Sequence, residues 1–275
     1  MVATIDGRRI GYDDTGGSGT PVVLLHGFPL DRTVWDDVMP GLAAARVVRV
    51  DLRGCGESDA DEGPALMEAL AGDVAGVLDA LGIERATLVG HSIGGYVALA
   101  FFRMYAERVS GLALVASHVA EDAGRNPSAD PAQRALAAGR DDLAARLERD
   151  GTMDAAVESY LPRYFAPQVY RDRPELVDRA RALMAKQNPR GCAQLVRGMK
   201  ERLDSHDLLP DIDVPALIVA GGADHYLPAD ALRTTAAAIR DARFVLADGV
   251  GHLPMWEAPA LTSDALHELV QRVRL

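Results

Sequence analysis

Ala86-Thr87-Leu88-Val89-Gly90-His91-Ser92-Ile93-Gly94-Gly95 is the stretch whose reading decides how this chain folds. Residues 86–89 read as a short buried strand, and residues 93–105, small and apolar, read as a helix. Between them stands Gly-x-Ser-x-Gly. A serine on so sharp a strand-to-helix turn can project its hydroxyl only if the residues two places away lack bulk. Gly90 and Gly94 meet that need, and Gly95 widens the clearance. Ser92 is therefore a candidate nucleophile, and the Ile93 N–H at the helix start would face negative charge developing on a substrate oxygen. A serine here could also do no more than cap the helix, so its partners decide.

Working outward, residues 22–25, 46–50 and 86–89 are short apolar runs separated by helical periodicity. Leu66, Leu70, Val74, Val77, Leu78 and Leu81 recur at three and four, the stripe of a crossover helix. Strand, helix and strand in repetition imply a parallel sheet covered on both faces. Upstream, Asp6-Gly7 sits between β-prone segments and predicts a hairpin with an antiparallel edge. Residues 111–115 predict a further strand, after which the rhythm breaks. From 118 to 209 no buried strand is evident, only helical stretches punctuated by Pro131, Pro162, Pro167, Pro174 and Pro189. The alternation resumes with a strand at 216–220, a helix at 231–239, a strand at 244–247 and a helix at 261–270. The expected organisation is an α/β core, residues 1–117 and 210–275, interrupted by a helical cap over 118–209.

The chain has 275 residues, 48% of them hydrophobic, enough for a large core. Its 29 basic and 40 acidic residues give a charge of −11, which repels phosphate backbones and anionic lipid surfaces. No nucleic-acid or membrane partner is expected. No apolar run approaches the ~18 residues of a membrane span. The opening Met-Val-Ala-Thr-Ile-Asp lacks a basic segment followed by an apolar one, so a cytoplasmic protein, monomer or homodimer, is the expectation. Cys55 and Cys192 stand in no metal-ligand spacing and read as free thiols.

A nucleophilic serine needs a base, and a base needs an orienting acid. Among seven histidines, His252 lies in Gly249-Val250-Gly251-His252-Leu253-Pro254, a glycine-bordered loop after the last strand. From there a side chain can reach over the carboxyl edge of the sheet, where ligands of open α/β sheets gather. Asp224 follows the strand at 216–220 at the same edge. Glu121 or Asp122, after the preceding strand, could replace it. The remaining histidines read differently: His26 as structural, His91 as pointing away from an exposed Ser92, His267 as helical, and His118, His206 and His225 as surface or hinge residues. A second donor to a developing oxyanion is expected from His26-Gly27-Phe28-Pro29. Pro29 has no N–H, which leaves Phe28 or Gly27, with Phe28 favoured. The glycines of Asp51-Leu52-Arg53-Gly54-Cys55-Gly56-Glu57-Ser58 do not form a phosphate-binding motif. A local Asp51/Arg53 ion pair is expected instead.

With HGFP at 26–29, DLRGCGES at 51–58, GHSIGG at 90–95, GGADHYLP at 221–228 and GVGHLPMWE at 249–257, the sequence resembles the α/β-hydrolase superfamily, in its capped esterase, enol-lactonase and perhydrolase-like branch. The resemblance covers nearly the whole chain, the cap least. It implies an α/β-hydrolase fold with a mostly parallel eight-stranded sheet. It also implies Ser92 as nucleophile, His252 as base, Asp224 as orienter, Phe28 and Ile93 as oxyanion donors, and no cofactor or metal. Ser92 stands where haloalkane dehalogenases and epoxide hydrolases carry Asp. The loop also departs from the HGGG form of many lipases, which argues against very bulky alcohol esters.

The activity so implied is hydrolysis of small-molecule carboxylic esters. Lactone opening, perhydrolysis and C–C cleavage could use the same residues, and a ligand receptor could use the same fold. A neutral imidazole as base predicts a rate that falls as pH drops through roughly 6 to 7. Trp35, Met153, Tyr160, Tyr164, Phe165 and Met184 are candidate pocket-lining residues, though such side chains also pack a cap against itself.

Overall fold

In the computed structural model, which describes residues 1–60, 62–122, 128 and 130–273, the chain forms an eight-stranded sheet. Its strands are β1 (Val2–Ile5), β2 (Arg8–Asp14), β3 (Pro21–Leu25), β4 (Arg46–Val50), β5 (Ala86–His91), β6 (Val109–Val115), β7 (Ala216–Gly221) and β8 (Ala242–Ala247). They lie in the order β1-β2-β4-β3-β5-β6-β7-β8. The hairpin expected at Asp6-Gly7 forms, with β1 and β2 antiparallel and β2 antiparallel to β4. Every other pairing is parallel.

The sheet divides the core by the period-two alternation of its strands. On one face Val23, Leu25, Leu88, Leu112 and Ile218 pack with Leu70 and Val74 of α1 (Met67–Ala80) and Val97 and Phe101 of α2 (Ile93–Tyr105). On the other, Val22, Leu24, Ala113, Leu217 and Val219 meet Val34, Trp35 and Val38 of a 3-10 helix, Arg32–Leu42. Central strands buried on both faces require such continuous apolar runs, which is why they stand out in the sequence.

Between β6 and β7 the described residues hold helices and no strand: α3 (Pro131–Asp150), α4 (Asp154–Tyr160), α5 (Val169–Asp172), α6 (Pro174–Ala185) and α7 (Pro189–Lys200). Of the prolines that punctuate this segment, Pro131, Pro174 and Pro189 open helices α3, α6 and α7 at their first position, where a missing N–H costs nothing. After β7 come α8 (Ala229–Ala237), α9 (Pro254–Glu257) and α10 (Pro259–Arg272). The single closing helix expected at 261–270 is thus longer and preceded by a separate turn.

The insertion is sewn into the core. Phe165, Leu176, Ala180, Leu183 and Met184 share the second apolar layer with the sheet. Trp256 donates its indole N–H to the Val34 carbonyl at 2.8 Å, stacks with Phe165, and carries the Arg179 guanidinium 4.2 Å above its ring. The backbones of Gly54 and Gly191 approach so closely that a β-carbon on either would collide with the other. Beside them Cys55 and Cys192 are buried free thiols. The expected Asp51/Arg53 pair does not form. Asp51, turned inward beneath Gly56, takes Arg32, while Arg53 reaches across to Asp73 of α1.

Asp31 is a further tie. Its carboxylate caps the 3-10 helix through the Thr33 N–H at 3.0 Å and accepts Lys186 Nζ at 2.9 Å from the end of α6. Burial pushes this carboxyl up, but Thr33 and Lys186 outweigh it and hold the pKa at about 2.

Two outcomes are expected. Trp256→Ala should lower the unfolding free energy by about 3–5 kcal/mol, and Trp256→Phe by only about 1–2 kcal/mol, measured by urea titration. A carboxyl depressed below its unfolded value of roughly 3.9 stabilises the fold above that value and loses the contribution as pH falls through the folded value. Asp31→Asn should therefore cost on the order of 1 kcal/mol at about pH 6 after solvent screening. In the same titrations the gap to wild type should narrow by about pH 3.

Candidate active site

The chain leaves β3 for β4 on one side and returns to β5 on the other, so the loops after β3 and β5 part over the carboxyl edge of the sheet. Such a switch point opens a crevice. Ser92 stands there with φ 51 and ψ −117, a backbone conformation that non-glycine residues rarely adopt. Its neighbours enforce it. The Ser92 N–H donates to the Val115 carbonyl at 3.1 Å, and its carbonyl accepts from Ser117 Oγ at 2.7 Å and the Gly95 N–H at 2.9 Å. A β-carbon at Gly90 would strike the Gly94 carbonyl, and one at Gly94 the Leu25 carbonyl.

Asp224 and His252 arrive from the ends of β7 and β8. Asp224 Oδ2 lies 2.7 Å from His252 Nδ1, with both side chains buried. The other carboxylate oxygen accepts the N–H groups of Tyr226 at 2.7 Å and Leu227 at 3.3 Å. Burial pushes the Asp224 carboxyl up, yet the His252 charge and these N–H groups outweigh it and leave the pKa below the ordinary value. An ionised Asp224 accepts the Nδ1 proton and leaves Nε2 as the acceptor of the imidazole. The His252 backbone is pinned too. Its N–H donates to the Tyr164 carbonyl at 2.8 Å, and His91 Nε2 contacts its carbonyl at 2.8 Å. Glu257 Oε1 accepts the preceding Gly251 N–H at 3.0 Å, and Oε2 accepts the Ala166 N–H at 3.0 Å, tying the histidine loop to the insertion.

The loop after β3 lies against the serine. A β-carbon on Gly27 would collide with the His91 ring and come within 3.3 Å of Ser92 Cβ. His26 is structural, as expected: Nδ1 meets the Gly27 carbonyl and Nε2 accepts the Leu52 N–H, each at 2.9 Å. The Tyr164 hydroxyl donates to the Phe28 carbonyl. One residue of the insertion thus holds both the Phe28 loop and the His252 loop.

These groups open onto a cavity of about 420 Å³, walled by Phe28, Ser92 and His252 from the core and by Leu143, Tyr160 and Tyr164 from the insertion. Of the residues expected to line it, Tyr160 and Tyr164 do so. Trp35, Phe165 and Met184 do not, since they pack in the apolar layer beneath the sheet, and Met153 packs in the layer on its other face. Helical spacing marks a side chain as inward without telling sheet from cavity. His118, expected as a surface or hinge residue, lines the cavity, and burial with the nearby Arg202 charge lowers its pKa to about 3. Asp122 is bound by Arg140 and Arg202 and is not the partner of His252. Tyr226 and Leu227 also line the wall, and their place two and three residues after Asp224 was the signal for them. Among the described residues no group of His, Cys, Asp and Glu could hold a metal ion, and no helix is long and apolar enough to cross a membrane.

The model of the α/β hydrolase fold family matches residues 20–259. A thermophilic esterase from Thermogutta terrifontis, solved with malate bound, is 36% identical and superposes with a TM-score of 0.91 over 100% of this chain and 99% of its own. The enol-lactonase of Burkholderia xenovorans is 27% identical, with a TM-score of 0.87 over 98% of this chain and 100% of its own. A 2-hydroxy-6-oxononadienedioate/2-hydroxy-6-oxononatrienedioate hydrolase of Paraburkholderia phymatum is 30% identical over 90% of this chain and 86% of its own.

Tyr164→Phe removes the hydroxyl that holds the Phe28 carbonyl. It should cost about 1–2 kcal/mol in urea unfolding and raise amide hydrogen exchange in the loop at 26–30 more than in β5. Unchanged exchange in that loop would show that the bond holds nothing in place.

Proposed function

Because this chain belongs to the α/β hydrolase fold family, we propose that it hydrolyses carboxylic esters of small molecules through an acyl-enzyme on Ser92, in the manner of a carboxylesterase. The observation that carries this reading is the Asp224–His252 pair at 2.7 Å on the same cavity wall as a serine held at φ 51. His252 Nε2 takes the hydroxyl proton as Ser92 Oγ attacks the carbonyl carbon, and Asp224 stabilises the imidazolium that forms. The Ile93 N–H, at the start of α2, and the Phe28 N–H, on the loop against Ser92, receive the oxyanion. His252 then gives the proton to the departing alcohol. A water activated by the same imidazole releases the acid and restores Ser92. The residues 118–209 roof the pocket.

The esterase and enol-lactonase neighbours support acyl chemistry at a carbonyl. Lactone opening, perhydrolysis or C–C cleavage would use the same three side chains, and the size and charge of the cavity, more than the triad, distinguish among them. An ionised Asp224 fixed to His252 weighs against a non-turnover receptor on this fold, though a receptor can retain such a triad.

p-Nitrophenyl butyrate should be turned over repeatedly, with loss on the order of 10⁶-fold in kcat for Ser92→Ala. Asp224→Asn should lose on the order of 10⁴-fold, since the amide favours the wrong imidazole tautomer. Turnover that survives Ser92→Ala would end the proposal, and a single stoichiometric burst without turnover would favour a receptor.

A further inference from the structure

Asp122 follows β6 at a place from which a carboxylate could orient His252, yet it faces elsewhere. Its side chain is 0% exposed and is bound by Arg140 Nε of α3 and, at 2.5 Å, by Arg202 Nη1 just beyond α7. Among the described residues it is the only carboxylate in an ion pair with either guanidinium. One negative charge thus answers two positive ones, with Arg202 only 3% exposed. Arg202 directs its other donors to the Ala120 carbonyl and to His118 Nε2 at 3.0 Å, and its guanidinium lies 4.1 Å from the centre of the Tyr96 ring. Arg140 gives Nη1 to Met199 Sδ at 3.4 Å, a weak acceptor. A buried charge without a full partner is costly.

That excess faces the cavity beside Ser92. Arg140, Arg163, His118 and His252 line its wall and, among the described residues, no aspartate or glutamate does, although the chain as a whole carries −11. Glu68 lines an adjoining, smaller cleft with Arg103 and Arg202, across Tyr96 and His118, and does not itself line this wall. Arg163, which lies 5.1 Å from the centre of the Tyr226 ring, has no ion pair among the described residues. His118 Nε2 accepts from Arg202, so its proton sits on Nδ1 and the ring adds a neutral donor.

We infer that the preferred substrate is an ester bearing a second, ionised carboxylate, and that Arg140 anchors this carboxylate while Ser92 meets the scissile carbonyl. The inference rests on the serine-hydrolase reading above and names its substrate class. A planar guanidinium edge matches a carboxylate, and a monoanion balances the one charge that Asp122 leaves unanswered. Between cavity walls that include Leu143, Tyr160 and Tyr164 the pairing is worth more than on an open surface.

Two matched pairs test it. Mono-p-nitrophenyl adipate against p-nitrophenyl hexanoate puts the carboxylate on the acyl side, and 3-carboxyphenyl butyrate against phenyl butyrate puts it on the alcohol side. One pair should favour the acid about tenfold or more in kcat/KM, chiefly through KM. Arg140→Gln, which leaves Asp122 paired one to one with Arg202, should bring that ratio close to one. Arg140→Lys, which keeps charge but not the fork, should retain part of it. If Arg140→Gln does not fold, adipate must still inhibit neutral-ester hydrolysis by the wild type at least tenfold better than hexanamide. No preference in either pair, or a preference unchanged in folded Arg140→Gln, overturns the inference. If no ester is turned over at all, the hydrolase reading fails by itself. Calorimetric titration of Ser92→Ala with adipate then decides the anion site: binding that weakens with Arg140→Lys upholds it, and absence of binding sinks it.

Discussion

A side chain held at φ 51 strains the backbone by about 1–3 kcal/mol, and much of the molecule around Ser92 exists to impose that conformation. The turn is fixed from three directions. β6 offers its terminal carbonyl to the Ser92 N–H, Ser117 just beyond it returns a hydroxyl to the Ser92 carbonyl, and Gly90 and Gly94 let β5 and α2 close to distances no other residue permits. Because β3, β5 and β6 are adjacent in the sheet, loops distant in sequence meet at one edge. The site is thus a consequence of strand order before it is a matter of individual side chains.

Much of this was legible in the sequence because it follows from short-range rules. The apolar runs that become β3 to β7 must be continuous where both faces are covered, and the hairpin at Asp6-Gly7 needs only two residues to declare itself. Asp224 and His252 could be picked out because each follows a strand at the ligand-bearing edge. The structure brings them within hydrogen-bonding distance and sets Ser92 on the same cavity wall. Ion pairing was not legible. Arg53 and Asp51 are neighbours in the chain, but the pairs that form, Arg53 with Asp73 and Asp51 with Arg32, span loop and helix and depend on which way each side chain turns after the strand ends.

The insertion was the least readable part for a related reason. A segment packed between a sheet and a cavity has apolar residues on two sides, so Phe165 and Met184 look no different in sequence from Tyr160 and Tyr164. Nor does the composition of α3 reveal that Arg140 would turn inward to share Asp122 with Arg202. Long polar side chains that end in buried clusters are invisible to hydrophobic periodicity.

The seam between insertion and core bears on how a molecule reaches Ser92. Swinging the insertion outward as a rigid flap would pull Phe165 and Met184 from the apolar layer they share with the sheet and break Arg179 from Trp256. It would also separate the touching Gly54 and Gly191 backbones. Each such rupture exposes oily surface to solvent, so the arrangement favours a doorway that widens by rotation of a few side chains over a hinged gate. Traffic through this protein is then governed by the breathing of its rim, and the reacting groups need not be reassembled each time a guest arrives or departs.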